Sequence, residues 1–203
     1  MKKEKIIIFD FDGVIADSFD IALEVNQMSK PTLTHEQYEQ VWNNNITDVV
    51  YKHKVVKKID FHKEYAKKFK TLPLKGNIKT ALKALSSEFK LFIVSSTITN
   101  TISDYLKRHE IFDCFTEILG NDVETSKIKK FKMLFDKYKI NPAEITFISD
   151  TSGDINEAKK VNIGYIIGIL DGYQTRESIK KAGPNVIVKN FNDFFQLIKK
   201  RKF

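Results

Sequence analysis

The chain has 203 residues, 42% of them hydrophobic and 30% charged, which excludes a disordered or fibrous protein and suits one globular domain with a modest insertion. A single cysteine, Cys114, excludes an intrachain disulfide framework, and His35, His53, His62 and His109 lack the spacing of a zinc site. The net charge of +8 favours anionic partners, but the lysines are dispersed without a basic block or an RNA-binding signature, so nucleic acid is the less favoured partner. Apolar runs of only a few residues offer neither a membrane span nor a signal peptide, and a cytoplasmic protein is expected.

The first element lies in KIIIFDFDGV, residues 5 to 14. Ile6 to Phe9 form a continuous apolar run with strong strand preference, as expected of a strand buried on both faces of a parallel sheet. Asp10 then falls at the carboxyl end of that strand, where open α/β sheets bind ligands, and Gly13 permits the turn that keeps Asp12 near the same crevice. Acidic residues ending a strand are also common as ordinary loop carboxylates, so the other strand ends must decide the reading.

Residues 17 to 74 carry helical signals and no convincing strand. Thr34 and Gln37 form a capping box ahead of Tyr38, Val41 and Trp42, and further helices are expected over Val49 to Val56 and Phe61 to Phe69. An all-helical insertion directly after the first strand would lie over the crevice and could cover a substrate. Asp17 and Ser18 are expected to cap its first helix. Asn43 to Asn45 with Lys52, His53 and Lys54 could touch a substrate, but a helix connection and a solvated face are the preferred reading.

After residue 75, strand and helix alternate. A helix over Gly76 to Phe89 precedes a strand at Leu91 to Val94. A helix over Thr99 to His109 precedes a strand at Phe115 to Leu119, with Cys114 expected to be buried between Phe112 and Phe115. A basic amphipathic helix spans Ser126 to Tyr138, and the Asn141-Pro142 turn leads into Ile145 to Ile148. A helix through Ile155, Ala158 and Val161, a strand at Gly164 to Ile169, a helix near Thr175 to Lys181, a strand at Val186 to Val188 and a last helix follow. The fold class is therefore α/β, a Rossmann-like doubly wound parallel sheet with helices on both faces. The expected division is a core of residues 1–16 and 75–203 and a helical cap of residues 17–74.

Three further places carry chemistry. The strand ending at Val94 leads into Ser95 and Ser96, whose hydroxyls and amides can donate to an anionic oxygen. Lys127 opens a helix, where its ammonium and the helix dipole jointly favour an anion. SDTSGD, after Ile148, places Asp150 just past a strand and Asp154 in the next helical turn. Two acidic clusters cannot meet unshielded, because like charges raise each other's pKa, and a hard cation resolves the conflict. Magnesium suits such a site, since it takes one or two carboxylates together with a substrate phosphate. The set reads as a site for phosphoryl transfer.

DFDGVIADS, VSS, Lys127 and SDTSGDI stand in the order and spacing of the four motifs of the haloacid dehalogenase superfamily. The chain resembles the phosphoglycolate phosphatase-like branch, in which a helical cap follows the first motif. LPLKGNIKTALKAL and IGILDGYQTRESIKKAGPNVIV extend the resemblance over nearly the whole chain. It implies that Asp10 is the nucleophile and Asp12 the acid and base, with Lys127 and Ser95 completing the catalytic set. It further implies a phosphate cradle of Gly13, Ser95, Ser96 and Lys127. Mg2+ would be held by Asp10, the Asp12 backbone carbonyl and Asp150, with Asp154 acting through water or by orienting Lys127.

The chain departs from that pattern at Ile128, where the family often has proline, and neighbouring Lys129, Lys130 and Lys132 compete for the third motif. Ser95 stands where threonine is common, a change that keeps the hydroxyl. The expected activity is hydrolysis of a small phosphorylated metabolite such as phosphoglycolate, a sugar phosphate or a nucleotide. A phosphomutase of the same fold and a noncatalytic nucleic-acid or partner-binding protein are the alternatives.

Overall fold

The computed structural model describes residues 5–43 and 57–200. Its sheet holds β1 (Ile6–Phe9), β2 (Lys90–Val94), β3 (Phe115–Leu119), β4 (Ile145–Ser149), β5 (Tyr165–Ile169) and β6 (Val186–Val188). The order is β3-β2-β1-β4-β5-β6, and each neighbouring pair is parallel. The chain winds outward through β2 and β3, then crosses back to place β4 on the other side of β1. That reversal opens a crevice at the carboxyl ends of β1 and β4.

Strand periodicity sets the two layers. Ile7 and Phe9 face one side with Leu91 and Ile93, against α4 (Ile78–Ser86), α5 (Thr99–Arg108) and α9 (Phe191–Lys200). Ile6 and Ile8 face the other with Phe92 and Val94, against α6 (Lys127–Tyr138), α7 (Ser152–Lys160) and α8 (Arg176–Ala182). β1 is buried along its whole length, which is why its sequence is an unbroken apolar run rather than an alternating one. Phe9 meets Phe194 edge-on at 5.6 Å and stacks on Phe191 at 6.1 Å. Burying such a ring contributes about 1.5–3 kcal/mol.

Between β1 and α4 lie α1 (Phe19–Ser29), α2 (His35–Asn43) and α3 (Phe61–Phe69). Ala22, Val25, Tyr65 and Phe69 share one apolar cluster with the sheet, and Phe11 stacks on Phe69 at 5.7 Å. These helices therefore sit on the carboxyl end of the sheet, over the crevice. The Thr34 capping box forms as expected: the Thr34 N–H donates to Gln37 Oε1 at 2.9 Å, and the Gln37 N–H donates to Thr34 Oγ1 at 3.2 Å. Among the described residues no helix is long and apolar enough to cross a membrane.

Several expectations need correction. The helix expected from Gly76 starts at Ile78, because Gly76 has φ +50°, a left-handed conformation outside the α-helical range. Ser18 precedes α1 but makes no side-chain cap, since its hydroxyl is turned to Asp12; Asp17 instead pairs with Lys75 at 3.3 Å. Cys114 is only partly buried, because it lies in a 3₁₀ turn, Phe112–Cys114, at the edge of the core. The helix expected over Val49 to Val56 lies outside the described residues, as do Asn44, Asn45, Lys52, His53 and Lys54.

Candidate active site

Register brings the strand ends together. Phe9 lies beside Ile148 in β4 and Ile93 in β2, so Asp10, Ser95 and Asp150 emerge on one rim. The Asp10 N–H continues the ladder to the Ile148 carbonyl at 2.9 Å. Past Asp10 the chain closes on itself: the Ile15 and Ala16 amides donate to the Phe11 carbonyl, and the Gly13 amide donates to Ala16. Gly13 has φ +71°, and a Cβ there would stand 2.0 Å from Asp150 Oδ2. The amide of Gly13, a residue expected in the phosphate cradle, is thus engaged within its own turn. What Gly13 supplies is room for the Asp150 carboxylate.

Asp10 is 4% exposed. Its Oδ1 accepts the Phe11 N–H at 2.8 Å and the Lys127 ammonium at 2.9 Å, while Oδ2 accepts Ser149 Oγ at 3.2 Å. Lys127, the first residue of α6, also reaches Asp154 Oδ2 at 2.6 Å. Of the competing lysines, Lys129 is exposed and pairs with Glu124 at 3.3 Å. Lys130 is buried but turns its ammonium to the Ser95 carbonyl at 2.5 Å and the Gly120 carbonyl at 3.3 Å. It ties the end of β2 in place rather than entering the crevice.

Asp12 points to the helical side of the crevice. Its Oδ1 accepts Ser18 Oγ at 2.8 Å and the Tyr65 hydroxyl at 2.7 Å. Its Oδ2 accepts Thr97 Oγ1 at 2.7 Å and lies 3.4 Å from Ser95 Oγ. Ser95 is fully buried and Ser96 is exposed at the mouth. Sequence reading missed Tyr65, Thr97, Ser149 and Tyr173. The Tyr173 N–H donates to Asp150 Oδ2 at 2.7 Å. Thr97 stood only three residues past β2, a position signal that was available, whereas Tyr65 lies 53 residues from Asp12 with no local cue.

The electrostatics are unbalanced. Burial, reinforced by Asp154 and Asp150 and offset in part by Lys127, holds Asp10 well above the ordinary carboxylate range. Burial likewise pushes Asp150 up to about 7. Burial opposes charge on Asp154 too, but Lys127 outweighs it and holds that carboxyl at about 2. Burial also works against the charge on Lys127, yet Asp10 and Asp154 hold it above the usual lysine range. Lys130 is brought down to about 8 by burial and then by Lys127.

These residues suit a divalent cation. Asp10, Asp150 and Asp154 facing Lys127 leave two negative charges in excess when all are ionised, and Asp150 Oδ1 is buried without a hydrogen-bond partner. Among the described residues no three His, Cys, Asp or Glu side chains form a metal cluster by themselves. A magnesium-like coordination, with two carboxylates completed by backbone oxygen, water and substrate, asks for no third. Asp154 is held by Lys127 at 2.6 Å and by Ser149 Oγ at 3.1 Å.

The sequence pattern of the haloacid dehalogenase-like hydrolases matches residues 7–167, from β1 to within β5. The chain belongs to this family. Family relatives include the phosphoglycolate phosphatase of Vibrio vulnificus, 24% identical over 96% of both chains. That of Psychrobacter arcticus is 28% identical over 96% of this chain and 94% of its own. The haloacid dehalogenase-like hydrolase from Streptococcus pneumoniae shares the fold, with a TM-score of 0.80 at 21% identity, covering 98% of this chain and 100% of that one. The chain is accordingly a haloacid dehalogenase-like hydrolase, similar in sequence to these phosphoglycolate phosphatases.

Proposed function

We propose that this hydrolase is a magnesium-dependent phosphatase that cleaves a small phosphomonoester through an aspartyl-phosphate on Asp10. The observation that carries the reading is the rim itself. Asp10 is gripped by Lys127 beside the unpartnered Oδ1 of Asp150, while Asp12 is held two residues on by four hydroxyls. The identity of the relatives supports the same reaction class.

In this reading Asp10 Oδ attacks phosphorus as the bond to the leaving oxygen breaks, and Asp12 gives that oxygen its proton. Asp12 then takes a proton from the water that attacks the aspartyl-phosphate, returning Asp10 and releasing phosphate. Lys127, Ser95 and the Ser96 amide hold the phosphoryl oxygens, where charge is spread in a loose transition state. The carboxylates of Asp10 and Asp150 and the backbone carbonyl of Asp12 would hold magnesium, which when bound offsets charge on those oxygens.

Residues 17–74 serve as the cap over a core of residues 1–16 and 75–203. A cavity of about 800 Å³ lies between them, bounded on the helical side by Ala22, Tyr38, Phe61 and Tyr65. The same cavity also takes in Asp10, Asp12, Lys127 and Asp150, and sugar phosphates and nucleotides stand beside phosphoglycolate among the candidates. Phosphate release from such a panel, with magnesium and then with EDTA, tests the proposal. Magnesium-dependent release from one member supports it; no release from any member by folded protein overturns it.

A further inference from the structure

Asp12 is held by donors of two kinds. Ser95 and Thr97 stand on the loop past β2 and Ser18 at the entry to the helical insertion, directly ahead of α1, whereas Tyr65 stands on α3, which overlies the rim of the sheet. The Tyr65 ring is 4% exposed, stacked on Phe61 at 5.1 Å and edge-on to Phe69 at 4.8 Å. Phe69 in turn stacks on Phe11, the residue between the two aspartates of the first motif. The position of the Tyr65 hydroxyl is therefore fixed by the seating of α3 on the core. Burial, and then the charge of Asp12, hold this phenol well above its usual pKa, so it remains a donor across the working range.

The contact extends further. Ser18 Oγ, which shares Asp12 Oδ1 with Tyr65, lies 2.9 Å from the Tyr173 hydroxyl, and the Tyr173 amide holds Asp150. Hydrogen bonds thus run from the helix over the crevice through Asp12 and Ser18 to the Tyr173 hydroxyl, and the backbone amide of that same tyrosine holds the carboxylate across the crevice.

Building on the phosphatase reading, we propose that Tyr65 is a positioning residue: its hydroxyl fixes the Asp12 carboxyl for proton transfer to the leaving oxygen only when α3 is seated. Proton donation is thereby tied to closure over the substrate. A displaced α3 leaves Asp12 to the rim hydroxyls, with one fewer constraint on the oxygen that must reach the leaving group.

The test uses leaving groups that need a proton to different degrees. Tyr65→Phe keeps the ring and removes the donor. Its kcat/KM, which reports the phosphoryl-transfer step, is compared with wild type on the best alkyl phosphomonoester and on p-nitrophenyl phosphate, whose phenolate leaves unprotonated. The expected loss is about tenfold to a hundredfold on the alkyl ester and under about threefold on the aryl ester. Equal loss on both, or loss on neither, overturns the proposal. Phe69→Leu loosens the seating of α3 on Phe11 while sparing the hydroxyl, and is expected to show the same selective loss on the alkyl ester to a smaller degree, with no further selectivity when added to Tyr65→Phe. Further selective loss in the Tyr65→Phe background would overturn the proposal, because packing and not the hydroxyl would then be responsible. Wild type that cleaves neither ester would refute the phosphatase reading itself, a result distinct from equal loss in the variant.

Discussion

Asp150 is 1% exposed, has one oxygen without a partner, and has a carboxyl pushed up to about 7 by burial. Its folded pKa lies above the unfolded value of about 4, so the stability it contributes is present below that value and lost as pH rises through the folded one. Metal-free Asp150→Asn should therefore match wild type near pH 4 and exceed it at pH 8, by on the order of 2–4 kcal/mol at roughly 1.4 kcal/mol per unit. Thermal unfolding in EDTA at the two pH values checks this; a variant no more stable than wild type at pH 8 would contradict it. Such a cost in the metal-free fold is typical of a group kept for function rather than stability. Asp10, Asp12, Lys127 and Asp150 could be picked from sequence because acidic and basic residues at strand ends and helix starts are conspicuous. Ser149 and Tyr65 could not, because a hydroxyl that serves a carboxylate has the same local pattern as one that satisfies the backbone, and Thr97 offered only its position three residues past β2.

Helix α6 shows why neighbouring lysines differ. Lys127, Lys130, Phe131 and Leu134 share its buried face, and Lys129 points to solvent. Ser126 caps the helix by accepting the Lys129 N–H at 3.4 Å, which fixes Lys127 as the first helical residue and aims it at the crevice. Lys127→Ala is expected to lower phosphate release at least about a hundredfold, and Lys129→Ala to change it less than about twofold. The reverse result in a steady-state assay would move the third motif by two residues. The amphipathic stripe through Phe131 and Leu134 carried enough information to phase Lys127 inward. It did not disclose that Lys130, also in phase, would spend its charge on the carbonyls of Ser95 and Gly120.

Across the molecule, apolar runs were sufficient to place β1, β2, β4 and β5, because these strands are buried nearly throughout, while the partly exposed β3 and β6 were placed by the alternation of strand and helix after residue 75. The order of those strands was not written locally. The return from β3 to β4 beside β1 is a long-range event, and it brings Asp150 to Asp10 across 140 residues. The seating of α1 and α3 on the sheet was equally hidden, since Phe11, Phe69 and Tyr105 meet from three distant segments. The fold converts these separate pieces into one claim, that Asp10 is the atom-donating nucleophile. Rapid acid quench of the enzyme during turnover, followed by peptide mass analysis, tests it most directly. One phosphoryl group is expected on the peptide containing Asp10 and none in folded Asp10→Asn, which should also fail to turn over. Phosphate release by wild type with no phosphorylated Asp10 peptide, or sustained turnover by Asp10→Asn, would contradict it.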